Sequence, residues 1–303
     1  MMTGFVAPFL GLVFAPLLLG IINRTKALFA GRHGQPFLQI YFDLWRLLRK
    51  GAVYSRTTSW VFRTGPVLGL AATLVALMIV PFAGFAAPLH FTGDLIAFAG
   101  LLGLLRFVTV IAALDTGSAF EGMGASREVQ FASLAEPVFY LALAVLVQRT
   151  GVYSLSDIYA GLSFPLWATA GPALALAAVT LFVVFLTENA RIPVDDPTTH
   201  LELTMIHEVM VLDHSGPDFA FITYGAALKH WVLGALIVGI VLPVHTGRPA
   251  LDLLVALLGM GAVGVAVGVV ESSMARLRLL RVPQLLVGAG ALSAFALILG
   301  MMR

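Results

Sequence analysis

Eight stretches of roughly twenty mainly apolar residues follow one another along this chain, each long enough to cross the hydrocarbon core of a bilayer as a helix. They cover residues 3–22, 66–88, 95–114, 130–148, 164–187, 219–243, 250–271 and 283–301. In lipid a backbone must satisfy its own hydrogen bonds, so this pattern confines the chain to a bundle of spanning helices. The third stretch is the least clean, because Arg106 interrupts it. Charged residues make up 11% of the chain's 303 residues, against about 25% in a soluble domain. No Pro- or Ser-rich linker and no shift in composition divides the sequence, which reads as a single all-α integral membrane domain over 1–303.

Lys and Arg orient such a bundle. The segments after odd-numbered stretches hold Arg24, Lys26, Arg32, Arg46, Arg49, Lys50, Arg56, Arg63, Arg127, Arg191, Arg276, Arg278 and Arg281, whereas the other side holds Arg149, Arg248 and Arg303. This asymmetry predicts cytoplasmic odd-numbered loops and both termini outside. The first stretch has no basic residue before it; Arg24 and Lys26 follow it, so it is expected to be a span rather than a signal peptide. The net charge of +2 gives no argument for a nucleic-acid partner. The chain has no cysteine, so it cannot hold an iron–sulfur cluster by thiolates, and any electron carrier must sit in another subunit.

Two further patterns concern packing. Phe37, Tyr41, Leu44 and Leu48 fall at helical spacing, with Arg46, Arg49 and Lys50 on a polar face. An amphipathic helix over about 36–50 is expected at the cytoplasmic interface, resting on lipid headgroups or serving as a docking element. The glycines between Gly259 and Gly268 read as a stripe that lets helices approach closely.

Ionisable groups within spans cost roughly 2.5–3.5 kcal/mol each on insertion scales. Here they are Arg106, Glu136, Lys229, His230 and Glu271, with Asp94, Asp115 and Asp252 near span ends. Glu136 is placed about two turns into the fourth stretch and is followed by Pro137. It is either a proton-handling carboxyl or one half of a fixed ion pair with Arg106 or Lys229. Seven of the chain's 16 acidic residues lie between Glu188 and Asp218: Glu188, Asp195, Asp196, Glu202, Glu208, Asp213 and Asp218. This acidic loop, about 188–218, also carries His200, His207 and His214 at seven-residue intervals. On a helix that is about 10.5 Å of rise per interval, too far for one metal ion. Apolar residues such as Leu201, Leu203, Ile206 and Val209 interleave the charges, so much of the loop is expected to be buried. No nucleophile elbow, phosphate loop or dinucleotide fingerprint is present; Gly122–Ser126 reads as a loop between spans.

Taken in order, four segments resemble one family, the membrane subunit at the foot of respiratory complex I (subunit 1) and its relatives in group 4 membrane-bound [NiFe] hydrogenases, including formate hydrogenlyase. They are GRHGQPFLQIYFDLWRLLRK (31–50), LDTGSAFEGMGASRE (114–128), the TENARIPVDD…HLEL run of the acidic loop, and ESSMARLRLLRVP (271–283). The second and fourth are similar to the hydrogenase branch. The resemblance covers nearly the whole chain. It implies a non-catalytic subunit of an oxidoreductase complex in a bacterial or archaeal cytoplasmic membrane. Such a subunit docks a peripheral arm of iron–sulfur and hydrogenase-like large subunits, which carry the clusters and a NiFe centre, and couples it to antiporter-like membrane subunits. It further implies a proton relay through Glu136, Glu188, Asp195, Asp196, Glu202, Glu208, Lys229 and Glu271. Docking is expected at Arg32, Asp43, Arg46, Arg49, Lys50, Arg127, Arg191, Arg276 and Arg278. The family's F-D-L is V-D-D at Val194–Asp196, and its G-P is G-Q-P at Gly34–Pro36. These departures point away from a quinone chamber of the complex I type, leaving quinone as an alternative ligand and a stand-alone proton-coupled transporter as an alternative function.

Overall fold

A computed structural model of the chain describes residues 2–196 and 205–301. Eight helices in it are long and apolar enough to cross a membrane: α1 (Val6–Phe29), α3 (Trp60–Ile79), α4 (Asp94–Asp115), α5 (Ala119–Thr150), α7 (Phe164–Glu188), α9 (Gly216–Val241), α10 (Pro249–Ser273) and α11 (Val282–Met301), the last led by a 3₁₀ turn at Leu279–Arg281. Three shorter α-helices, α2 (Gln39–Leu48), α6 (Leu155–Gly161) and α8 (His207–Met210), and a 3₁₀ turn at Met2–Phe5 complete the helices of the described residues. Gly4 lies against Pro88, and Gly300 against Gln148, so both chain ends sit at the end of the bundle away from α2 and the acidic loop. The end carrying α2 and the acidic loop is called the basic end below.

Several boundaries depart from the sequence expectation, and the first span runs to Phe29 rather than 22. The second span begins at Trp60 rather than 66, because Ser59 accepts a hydrogen bond from the Val61 N–H and starts the helix there. It stops at Ile79 rather than 88. Pro81 cannot continue a helix and biases Val80 toward extended backbone, where it lies at ψ 121°. The larger departure is α5. Its helix starts at Ala119, not near 130, so Gly122–Ser126 is helical and Arg127 lies on the spanning helix itself. Glu136 is thus near the middle of a 32-residue helix rather than two turns from its start, and has a basic residue in its own helix.

Close packing explains the extension. A Cβ on Gly124 would sit 2.3 Å from Val209 Cγ1 and 2.8 Å from the Ile206 carbonyl oxygen, so only glycine lets the acidic loop lie directly on α5. The α10 stripe behaves as expected. A Cβ on Gly264 would meet Leu18 at 2.9 Å, one on Gly268 would meet Thr25 at 2.6 Å, and Gly259 faces Val238 at 2.8 Å. Small residues thereby seat α10 between α1 and α9. The most enclosed span is α9, with 78% of its most apolar stretch buried against 33–56% in the others. Whatever charge α9 carries is therefore interior.

Helix α2 forms where the spacing predicted, packed on α1 and α9. Its Tyr41 hydroxyl donates to the Val13 carbonyl of α1. Tyr41 and Leu44 are partly covered, while Phe42, Trp45 and Leu48 are exposed, with the Arg49 guanidinium 4.4 Å from the Trp45 ring centre. Asp43 is held within the helix by Gln39 and Arg46. Arg32, Arg46, Arg49 and Lys50 are all exposed.

Candidate functional site

Three glutamates of the spanning helices converge on Arg106. It projects from α4 and is 8% exposed. One terminal nitrogen pairs with Glu136 of α5 and the other with Glu188 at the end of α7. Its Nε lies 3.4 Å from an oxygen of Glu128, about two turns before Glu136 on α5. Lys229 of α9 reaches the second Glu188 oxygen at 3.0 Å. The same ammonium donates to the Glu188 main-chain carbonyl, a helix C-terminal acceptor that α7 leaves unpaired. Three carboxylates from two helices thus share two cations from two others. Glu188 is enclosed, with a side chain 6% exposed, while Glu136 is 48% exposed on the flank of the bundle.

A second network adjoins the first through the neighbouring residue His230. Arg191 Nε donates to His230 Nε2 at 3.0 Å, and His230 Nδ1 is 2.8 Å from the Ala226 carbonyl. A ring that donates to a carbonyl through Nδ1 and accepts at Nε2 is neutral. Arg191 also meets Glu271 at 3.3 Å, and Lys26 of α1 holds the other Glu271 oxygen at 2.9 Å.

The first part of the acidic loop is fixed from three sides. Asp195, 1% exposed, accepts from the Ile206 and His207 main-chain N–H groups at 3.1 and 3.3 Å. Arg276 meets its other oxygen at 3.0 Å. Arg127 donates to the Met205 carbonyl at 2.9 Å. Three arginines expected at a docking surface, Arg127, Arg191 and Arg276, are therefore turned inward and bonded within the chain; Arg278 is exposed. Asp196 and Glu208 are partly buried beside the same loop. Glu202 and His200 lie outside the described residues. Among the described residues of the loop only His207–Met210 is helical, so no continuous helix joins His207 to His214.

His207 and His214 nevertheless meet across a cavity of about 70 Å³, whose wall also includes Arg106, Glu128, Glu188 and Lys229. Pro66 of α3 forms part of the same wall. A water needs about 10–15 Å³ by this measure, so a handful fit. Burial lowers the His207 imidazole below its ordinary range, against the pull of Glu208. Burial likewise pushes His214 down to about 4, with Asp218 and Asp213 opposing. His214 stacks on Phe62, ring centres 3.9 Å apart. Between pH 4 and the ordinary 6.5, the unfolded chain binds a proton at this residue that the folded chain does not. Stability is therefore full above 6.5 and falls as pH drops toward 4, by roughly 1–3 kcal/mol. The thermal midpoint of the detergent-solubilised chain should fall across this window, and His214→Phe, which keeps the stack, should flatten that slope.

Sequence reasoning missed Glu128 and underrated Arg106. Recognising α5 as one long helix would have exposed Glu128, because Glu121, Glu128 and Glu136 are seven and eight residues apart, two turns each, and share a face. Among the described residues no group of three or more His, Cys, Asp or Glu is placed to hold a metal ion.

This architecture has close counterparts. A profile of the NADH dehydrogenase family matches residues 2–302. The chain belongs to that family. Within the NADH dehydrogenase family it is similar to formate hydrogenlyase subunit 4 of Escherichia coli (strain K12), 33% identical over 88% of this chain and 87% of the relative. It is also similar to hydrogenase-4 component C of the same organism, 31% identical over 89% and 86% of the two chains. The fold of this NADH dehydrogenase family member matches a chain of the membrane-bound sulfane sulfur reductase, an archaeal respiratory membrane complex. The TM-score is 0.85 over 99% of this chain and 98% of the other, at 20% identity. The resemblance inferred from the four sequence segments is thus the family observed.

Proposed function

We propose that this chain is the membrane anchor and coupling subunit of a hydrogenase-like, complex I-related redox complex. In this reading the basic end faces the cytoplasm and docks a hydrophilic electron-transfer arm. Protons then pass through the carboxylates around Arg106 and Lys229 toward antiporter-like membrane subunits. The observation that carries the proposal is the set of Glu128, Glu136 and Glu188 on shared cations beside a small polar cavity. Carboxylates linked through a common guanidinium and a few waters can exchange a proton with little movement. The likeness to the two Escherichia coli hydrogenase components supports the hydrogenase branch. A cavity of about 70 Å³ suits waters better than a quinone ring and its tail, which favours a relay over a quinone-reducing chamber.

The test is a mild-detergent pull-down of the chain from its native membrane with mass spectrometry of the retained proteins. Iron–sulfur subunits, a hydrogenase-like large subunit and antiporter-like subunits are expected. Recovery of this chain alone, stable and monodisperse, would sink the coupling role and favour a stand-alone transporter.

Docking at the basic end has its own expected result. Reversing Arg46, Arg49 and Lys50 to glutamate should release the peripheral arm at lower salt than the unaltered complex, since exposed charge contacts are screened by ions. An arm retained at the same salt concentration would leave α2 as a lipid-facing element.

A further inference from the structure

Near the basic end, two buried groups outside the Arg106 cluster lack partners. Glu121 lies in the first turn of α5 and is 2% exposed, yet neither carboxylate oxygen has a hydrogen bond among the described residues. The Thr116 side chain and the Asp213 main chain come nearest to supplying one. The Thr116 hydroxyl is already committed to the Ala113 carbonyl at 2.7 Å. His214, next along the chain from Asp213, is 8% exposed and its Nδ1 is also unpartnered. That ring forms part of the wall of the cavity that holds Glu128 and Glu188.

A buried carboxylate without hydrogen bonds is too costly to persist bare; it needs a proton, a cation or water. No Lys or Arg is paired with Glu121 among the described residues. The Asp213 carboxylate beside it adds a like charge, whereas Asp213 and Asp218 favour a proton on the neighbouring His214 ring. Asp213 itself is exposed, so Glu121 is one residue's width from solvent. Glu121 and Glu128 are two turns apart on one face of α5, about 10.5 Å of rise. That gap is too long for direct transfer; His214, next in the chain to the Asp213 beside Glu121, lines the cavity that reaches Glu128.

We propose that Glu121 is the proton-loading group at the basic end, and that His214 hands the proton through cavity water to Glu128 and Glu188. The inference rests on the relay reading above, to which it adds an inlet. The step is a simple exchange: the Glu121 carboxylate takes a proton from solvent at Asp213, and His214 Nδ1 accepts it and returns to neutral by releasing it to cavity water. No redox partner is required for it.

The experiment uses the whole complex in proteoliposomes, driven by a reduced viologen, with a pH dye reporting proton movement. Glu121→Gln and His214→Phe should leave uncoupled electron transfer within about twofold and lower protons moved per electron by about tenfold. Glu121→Asp, which keeps the acid, should restore most of the ratio. Glu136→Gln is run alongside. If Glu121→Gln pumps normally while Glu136→Gln does not, the inlet is elsewhere and the relay stands. If both pump normally, the relay reading itself fails. Ion movement that requires sodium would overturn the proton assignment at Glu121. Should Glu121→Gln fail to assemble, infrared difference spectra of the unaltered complex supply the second readout. A carboxylic C=O band titrating with pH and shifting in D2O supports the inference, and only carboxylate bands across the range would overturn it.

Discussion

Replacing Arg106 with leucine is expected to leave almost no folded subunit in the membrane. Removing one partner of a buried ion pair typically costs about 3–5 kcal/mol, because the remaining charge is stranded. Arg106 is the partner of three carboxylates, and only Lys229 would remain to face Glu188. The loss is comparable to the whole stability of many domains, roughly 5–15 kcal/mol. Fluorescence-detected gel filtration of a tagged chain reads the outcome directly. Adding Glu136→Gln and Glu188→Gln to Arg106→Leu removes the stranded charges and should recover part of the folded peak. Normal accumulation of the single variant would mean that water, not Arg106, carries the carboxylates.

Glu136→Gln is expected to do the opposite: the subunit assembles and ion movement stops. Glutamine keeps an acceptor for Arg106 and nearly the same volume, so the hub survives. It cannot take up a proton. Redox turnover in the presence of an uncoupler should stay within about twofold, while protons translocated fall by at least about tenfold. The placement is the reason this residue is expected to be the sensitive one. It is the half-exposed member of a cluster whose other members are nearly enclosed, so it is the group that a neighbouring membrane subunit can reach. Unaltered pumping would remove Glu136 from the relay and leave it as one half of a fixed ion pair, which its bond to Arg106 already makes geometrically available.

Much of the fold was legible because lipid admits few alternatives. The eight apolar stretches mapped onto eight helices, and the Phe37–Leu48 spacing onto α2. Errors occurred where packing overrode local preference. Gly122, Gly124 and Ser126 are weak helix formers and read as a loop. They are helical because the acidic loop packs directly on Gly124 and Arg127 ties the same face to Met205. The second span was misread at its end because the residues after Pro81 are still apolar although no longer helical.

The site was half legible. Glu136, Glu188 and Lys229 stood out as charges in apolar surroundings, and Arg106 was one of two partners weighed for Glu136, but its sharing with Glu188 could not be read. Arg106 is 30 residues from Glu136 and 82 from Glu188 in sequence, a pairing that only the packing of α4, α5 and α7 creates. The inward turn of Arg127, Arg191 and Arg276 was not legible for the opposite reason. A positive-inside count registers Arg127, Arg191 and Arg276 as loop charges and is blind to carbonyls and carboxylates folded back beneath them.

The composition of the Arg106 hub sets a limit on stoichiometry. Three negative groups face two positive ones, so the set is neutral when it holds one added proton and carries a single deficit when it holds none. A second added proton would leave net positive charge in a low-dielectric interior, which burial penalises. In the proposed relay the hub would therefore be a unit store, emptied before it is refilled. If the complete assembly moves more than one ion for each electron pair, the remainder must be counted in other subunits, and titrating the ratio with and without those subunits would show where the counting is done.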